Sequence, residues 1–236
     1  MPLKDRVAVI SGATGALGSL ASHALAARGA SLALLDIDAE KLAALEADLA
    51  LPANRLLILR ANLLDPLDAQ AAAGAVASHF GRTDILLHLV GGWTGGKTLL
   101  EAAPEDLTFM LHQHVWTSFH VTRAFVPNLV KNGWGRVVMI TSPFAARPGA
   151  KGGPYAIGKA GQEALMLTLA QELKGTGVTA NLLQAKSIDA RREKVSSPSP
   201  ANASWTTPEE LVGTILHLLS DEAGTINGAK IPMYGG

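Results

Sequence analysis

Tyr155 and Lys159 stand at i and i+4, so a helix through them presents both side chains on one face. A phenol beside an ammonium has its pKa drawn down from about 10 toward neutrality. It can then give or take a proton at working pH. Ser142 closes the apolar run Arg136–Ser142 (RVVMITS) a short distance upstream, where a hydroxyl can hydrogen-bond a reacting oxygen. A Tyr-x-x-x-Lys pattern alone is weak. It gains weight from a second constellation near the N-terminus, Ser11-Gly12-Ala13-Thr14-Gly15-Ala16-Leu17-Gly18. Glycines at 12, 15 and 18 let the backbone turn sharply and approach a pyrophosphate, and the N-terminus of a following helix offers free N–H groups and the positive end of its dipole. Asp36 ends the next apolar run. A carboxylate there accepts both ribose hydroxyls of NAD and repels a 2′-phosphate. A tight strand–helix turn with a surface aspartate would carry the same letters, but the strand before and the helix after favour the dinucleotide reading.

These residues need elements to hold them. Short β-rich runs alternate with Ala/Leu-rich helical ones. Strands are expected at Arg6–Ser11, Ser31–Asp36, Leu56–Asn62, Asp84–Val90, Arg136–Ser142, Val178–Gln184 and Lys230–Tyr234. Helices are expected at Leu17–Arg28 (ended by Gly29), Ala39–Leu49, a run ending at Phe80, Glu105–Val130, Tyr155–Lys174 and Pro208–Leu219, the last opening with Thr-Pro-Glu-Glu. Pro127 is expected to end or bend the long helix. The strands lack polar alternation, as a parallel sheet covered on both faces requires. The β-α order predicts a doubly wound α/β sheet of Rossmann type with helices on both faces. Its strand C-terminal ends and the following helices converge on one ligand crevice, which brings Ser142, Tyr155 and Lys159 toward the glycine loop. Ser187–Ser204, with its Ser/Pro cluster and charged run, reads as a mobile surface segment inside one domain spanning residues 1–236.

Composition narrows the partners. Hydrophobic residues make up 48% and charged residues 17% of the 236, enough for a large core and unlike a disordered chain. Lys plus Arg and Asp plus Glu are each 20, without the basic excess of a nucleic-acid binder. The absence of cysteine excludes a disulfide framework and a thiolate metal site or nucleophile. No apolar stretch is long enough for a transmembrane helix, and the N-terminus lacks a signal-peptide layout; a cytoplasmic protein without membrane or nucleic-acid partners is expected. His112 and His114 diverge on a helix and make a poor metal pair, so no metal is expected. His88, in an apolar strand, reads as a hydrogen-bonded core residue. Asn62 is either an acceptor for an adenine amino group or a turn cap. Trp93 either stacks on a flat substrate or fills its loop. Arg191, Arg192 and Lys194 either draw in an anionic substrate or form a solvated face.

The whole chain resembles the short-chain dehydrogenases/reductases: the glycine loop, the strand-end Asp36, Ser142 with Tyr155-x-x-x-Lys159, the Pro-Glu-Glu helix and the Gly-Gly tail all have counterparts in that family. The resemblance implies a seven-stranded parallel sheet of order 3-2-1-4-5-6-7 and a homodimer or homotetramer. It implies a small-molecule carbonyl or alcohol as substrate, with Tyr155 as general acid/base, Ser142 orienting the oxygen, and Lys159 lowering the Tyr155 pKa and gripping the nicotinamide ribose. It places Gly12, Thr14, Gly15, Ala16, Leu17, Gly18, Asp36, Asn62, Leu63, Gly91, Tyr155, Lys159 and Ile188 at the cofactor, and Trp93, Ser142 and Tyr155 at the substrate. Gly91-Gly92-Trp93-Thr94-Gly95-Gly96, Val115-Trp116-Thr117-Ser118, Ser204-Trp205-Thr206 and Gly15–Ser19 are similar to dihydropteridine reductases and bacterial reductases near them. That subset implies NADH in preference to NADPH, and a flat heterocycle as an alternative substrate. The chain departs from the family's pattern at Ala16, at His88-Leu89-Val90, at Ala185-Lys186, at Ala190 and at His114, which replaces the long-helix asparagine of the family's proton relay. Those departures motivate a third reading, a nucleotide-binding scaffold or sensor with impaired chemistry.

Overall fold

The computed structural model describes residues 3–234; the Gly-Gly tail at 235–236 lies outside them. Seven strands form one sheet: β1 (Val7–Ser11), β2 (Ser31–Asp36), β3 (Leu56–Arg60), β4 (Ile85–His88), β5 (Gly135–Thr141), β6 (Val178–Gln184) and β7 (Lys230–Pro232). They lie in the order β3-β2-β1-β4-β5-β6-β7, every pair parallel. Eight helices accompany them: α1 (Ala16–Ala26), α2 (Ala39–Leu49), α3 (Pro66–Phe80), α4 (Pro104–Leu111), α5 (Thr117–Lys131), α6 (Gly153–Glu172), α7 (Glu193–Ser196) and α8 (Pro208–Leu218). The Rossmann-type architecture and strand order expected from the sequence are found.

The continuous apolar strands follow from burial on both faces. Along β1, Val7 and Val9 join the cluster that holds Phe125 of α5 and Leu169 of α6. Ala8 and Ile10 join the opposite cluster, with Leu25 of α1 and Ile215 of α8. Successive residues thus feed two cores, and a polar side chain at either would face no water. Helix starts are set by local chemistry. Asp38 accepts from Lys41 N at the head of α2, Asp65 from Leu67 N at α3, and Thr207 and Glu210 form a reciprocal capping box at α8.

One element differs from expectation. The long helix predicted over Glu105–Val130 is divided at a π-helical turn, His112–Trp116, between α4 and α5. It then runs through Pro127 instead of ending there. Pro127 sits on the exposed side of α5, where a carbonyl deprived of its amide donor can take water. The Ser187–Ser204 segment carries local structure of its own. It contains α7, and the buried Asp189 carboxylate accepts from Glu193 N and Lys194 N, both at 2.8 Å. Asn202, also buried, ties Ser199 N to Ser197 O. Among the described residues no helix is long and apolar enough to cross a membrane.

Candidate active site

Because all seven strands run the same way, their C-terminal ends share one edge, and the loops after β1, β4, β5 and β6 meet there. After β1 the chain turns at Gly12, whose φ is +73°. A Cβ on Gly12 would lie 2.9 Å from the Leu89 carbonyl carbon, and one on Gly18 only 2.2 Å from the Gly12 oxygen. Glycine is required at both positions so that loop, helix and β4 can close up. Gly15 is the N-cap of α1; no side chain caps the helix and no acid sits in its first turn, so its free N–H groups face the crevice ready for an anion.

Two adjoining cavities flank this loop, of about 360 and 330 Å³, sharing Gly12, Gly15, Leu89, Val90 and Gly91. The first is also lined by Thr14, Asp36, Asn62 and Leu63. Asp36 Oδ2 accepts from Thr14 N at 3.0 Å and from Thr14 Oγ1 at 2.7 Å, and Oδ1 accepts from Ile37 N at 2.8 Å. Asp38 N adds a longer contact to Oδ1 at 3.4 Å, so the carboxylate is fixed against the glycine loop, and a ribose hydroxyl would take the place of the Thr14 hydroxyl or of that long contact. Asn62 lies beyond the end of β3, and its Oδ1 accepts from Leu64 N at 3.2 Å: it is a turn residue that also lines the cavity. The second cavity is lined by Ala16, Leu17, Gly18, His114, Tyr155, Lys159, Lys186, Ile188 and Ala190. The two chambers adjoin across the glycine backbone they share, a shape suited to a dinucleotide with its pyrophosphate over the loop. The tight glycine cradle, the open helix N-terminus and Asp36 all fit such a ligand.

Tyr155 and Lys159 lie one turn apart on α6, as their spacing requires, but their electrostatics differ from expectation. Burial pushes the Tyr155 phenol up, and the nearby Ser142 hydroxyl pulls it part of the way back. The expected lowering by Lys159 is not found, because the ammonium is engaged elsewhere. Lys159 Nζ donates to Ile140 O at 2.8 Å and to Gln162 Oε1 at 2.9 Å. Burial brings Lys159 down to about 7, opposed by Glu163 one turn further on. Glu163 is held by Thr141, Gln184 and Lys230, whose Nζ is 2.9 Å away. Ser142 is fully buried, lines neither cavity, and accepts from Phe144 N at 3.3 Å.

His114 occupies the π turn and is 1% exposed. Its Nε2 is 2.9 Å from Gly92 O, so that nitrogen carries the proton and Nδ1 is an acceptor, without a partner among the described residues. Its ring meets the Tyr155 ring edge to face, centroids 5.5 Å apart. Burial, reinforced by the Lys159 charge, brings His114 down to about 3, so the imidazole is neutral at working pH. His88 is the hydrogen-bonded core residue expected: Nδ1 is 2.7 Å from Ser11 Oγ and Nε2 3.3 Å from Thr117 Oγ1. Burial brings it too down to about 3.

Trp93 is not brought into either cavity. It is 65% exposed and covers Gly95, where a Cβ would fall 2.7 Å from its ring. The charged run pairs with carboxylates, Arg191 with Glu193, Arg192 with Glu209 and Lys194 with Glu210, as a surface face does. Lys186 instead lines the second cavity and donates to Ser204 Oγ at 3.0 Å. Sequence reasoning passed over Gln162, although its i+3 spacing from Lys159 put it on the same face.

Comparison with known proteins agrees with this architecture. The family model described as short chain dehydrogenase matches residues 6–199, and the chain belongs to the short-chain dehydrogenase/reductase family, oxidoreductases that use nicotinamide cofactors. A D-threitol dehydrogenase of Mycolicibacterium smegmatis is 28% identical over 247 residues, covering 99% of this chain and 93% of that protein. A 2,3-dihydroxy-2,3-dihydro-p-cumate dehydrogenase of Pseudomonas putida is 27% identical over 248 residues, covering 100% and 95%. The crystal structure of a levodione reductase superposes with a TM-score of 0.89 at 24% identity, covering 99% and 97% of the two chains.

Proposed function

We propose that this chain, acting as one dinucleotide-binding domain, is an NAD(H)-dependent oxidoreductase that reduces a small-molecule carbonyl or oxidises the corresponding alcohol. The observation that carries the reading is the meeting of Tyr155 and Lys159 with the Gly12–Gly18 loop in one cavity, adjoining the cavity that Asp36 lines. The nicotinamide, when bound, supplies or accepts the hydride. Tyr155 gives the proton to the substrate oxygen or takes it in the reverse direction. Ser142, next to that phenol, orients the oxygen. The Lys159 ammonium lines the same cavity as Tyr155 and offers a donor to the ribose. The neutral His114 places an apolar ring edge against Tyr155, excluding water from the phenol. Asp36 supports NADH over NADPH, since a carboxylate beside a 2′-phosphate is repulsive. The flat-heterocycle alternative rests on Trp93, which stands outside both cavities.

Titration of the protein with NADH and NADPH, followed by nucleotide fluorescence, tests the cofactor assignment; tighter NADH binding is expected. Tyr155→Phe should cut turnover of a ketone panel by at least 1,000-fold while NADH still binds. A fully active variant would remove Tyr155 from the mechanism. A homodimer or homotetramer is proposed on the exposed apolar side chains Trp116 and Phe119 beside α5, and light scattering tests it.

A further inference from the structure

Between α5 and α6 runs a chain of buried polar groups in which every donor and acceptor has only one possible role. Ser118 Oγ donates to the His114 carbonyl at 2.6 Å. With its proton committed, that oxygen accepts from Gln162 Nε2 at 3.0 Å. The amide is thereby oriented, and Gln162 Oε1 must face Lys159, whose Nζ donates to it at 2.9 Å. Gln162 and Ser118 are both fully buried. A leucine or methionine would fill the space of Gln162 without desolvating an amide, and a buried amide is tolerated where its polar atoms are satisfied. Here they are satisfied by Lys159 on one side and Ser118 on the other.

We propose that Gln162 and Ser118 are positioning residues, which hold the Lys159 ammonium at the wall of the second cavity through a one-way hydrogen-bond chain anchored on the His114 carbonyl. The inference deepens the oxidoreductase reading and rests on it for its meaning. A lysine side chain has four rotatable carbons and three donor protons. Ile140 O and Gln162 Oε1 take two of these protons, leaving one for a ligand in the cavity. The anchor is the π turn itself, because the carbonyl that receives the chain belongs to His114 within it.

The same chain governs how readily Lys159 keeps its proton. Burial brings Lys159 down to about 7, so the acceptors around it determine its charge near neutrality. The charged or titratable groups facing it are His88 from β4 and His114 from the π turn, both neutral, with Tyr155 and Glu163 on its own helix and Lys230 of β7 paired to Glu163. Gln162 is the neutral acceptor among them, and its substitution changes the sign of the local field in a controllable way.

The test reads Lys159 directly. Protein carrying ¹³C-labelled lysine is titrated by NMR, and the Lys159 Cε signal is assigned by its loss in Lys159→Arg. Gln162→Leu removes an acceptor that favours the ammonium, so the Lys159 titration should move down by about one unit. Gln162→Glu supplies a charged acceptor and should move it up. Ser118→Ala frees the amide to rotate and should give a smaller downward shift. Residues that merely fill space would leave the titration where it is. Opposite shifts for Leu and Glu sustain the proposal. Titrations unmoved in both folded variants overturn it, and if Gln162→Leu does not fold, the Gln162→Glu result decides alone. The oxidoreductase reading stands or falls separately, on turnover of Tyr155→Phe.

Discussion

Replacing Asp36 by alanine should weaken NADH binding about 100-fold and raise the relative affinity for NADPH. The carboxylate is held by Thr14 N, Thr14 Oγ1, Ile37 N and, at 3.4 Å, Asp38 N, an arrangement that fixes its direction toward the first cavity, where ribose hydroxyls would replace the Thr14 hydroxyl and the long Asp38 contact. Two ribose hydroxyls donating to it would each contribute about 1.5 kcal/mol, the low end for a charged acceptor because the site is half-buried and wet. Their loss amounts to about 3 kcal/mol, or roughly two decades in Kd. The Thr14 donors freed by the substitution lie at the cavity mouth and can bind water, so the fold should bear little cost. For NADPH the change acts in the opposite direction. A repulsion on the order of 1–3 kcal/mol between the carboxylate and a 2′-phosphate disappears. Fluorescence titration of wild type and Asp36→Ala with both nucleotides gives four dissociation constants. If the variant bound NADH within twofold of wild type while folded, the carboxylate would have no part in ribose recognition, and its bonds to Thr14 would be its whole purpose.

Four further outcomes follow from particular groups. Gly18→Ala forces a methyl against the Gly12 carbonyl and Ala13 backbone, so both melting temperature and NADH affinity should fall. Gly74→Ala, on the exposed side of α3 with nothing within 4 Å of the new Cβ, should instead stabilise by up to about 1 kcal/mol. Stability should also fall in acid, because His88 and His114 stay neutral in the fold down to about pH 3 whereas in the unfolded chain they take up protons near 6.5. Their contribution is complete above 6.5 and is lost as pH drops from 6.5 toward 3, so urea titrations across that window should show a shallower loss in His114→Asn. The sign for Lys159 is related: the folded state binds its proton less tightly than the unfolded chain, so wild type should gain on Lys159→Met as pH rises from about 7 toward 10.5.

What could be read ahead of the structure, and what could not, divides by the range of the interactions involved. The strands were legible because a sheet covered on both faces writes burial into consecutive residues, as along Val7–Ser11. The glycine loop was legible because Gly12 and Gly18 answer to close approaches within one strand–turn–helix unit, and the Tyr155–Lys159 pair because a helix fixes i and i+4. The π turn at His112–Trp116 was not legible: it shifts hydrogen-bond partners by one residue without changing the apolar pattern around it. Pro127 misled because its consequence depends on which side of the helix meets water. Ser142 and Trp93 had the residue types of a substrate site, yet tertiary packing buries one beneath the Phe144 turn and leaves the other exposed. Lys159 is the most instructive case. Its residue type and spacing pointed at Tyr155, but its ammonium donates to Ile140 O and Gln162, and Gln162 donates in turn to Ser118 from another helix. In the proposed mechanism the Lys159 charge thus depends on a contact between residues 44 apart in sequence, which periodicity along a single helix has no means of expressing.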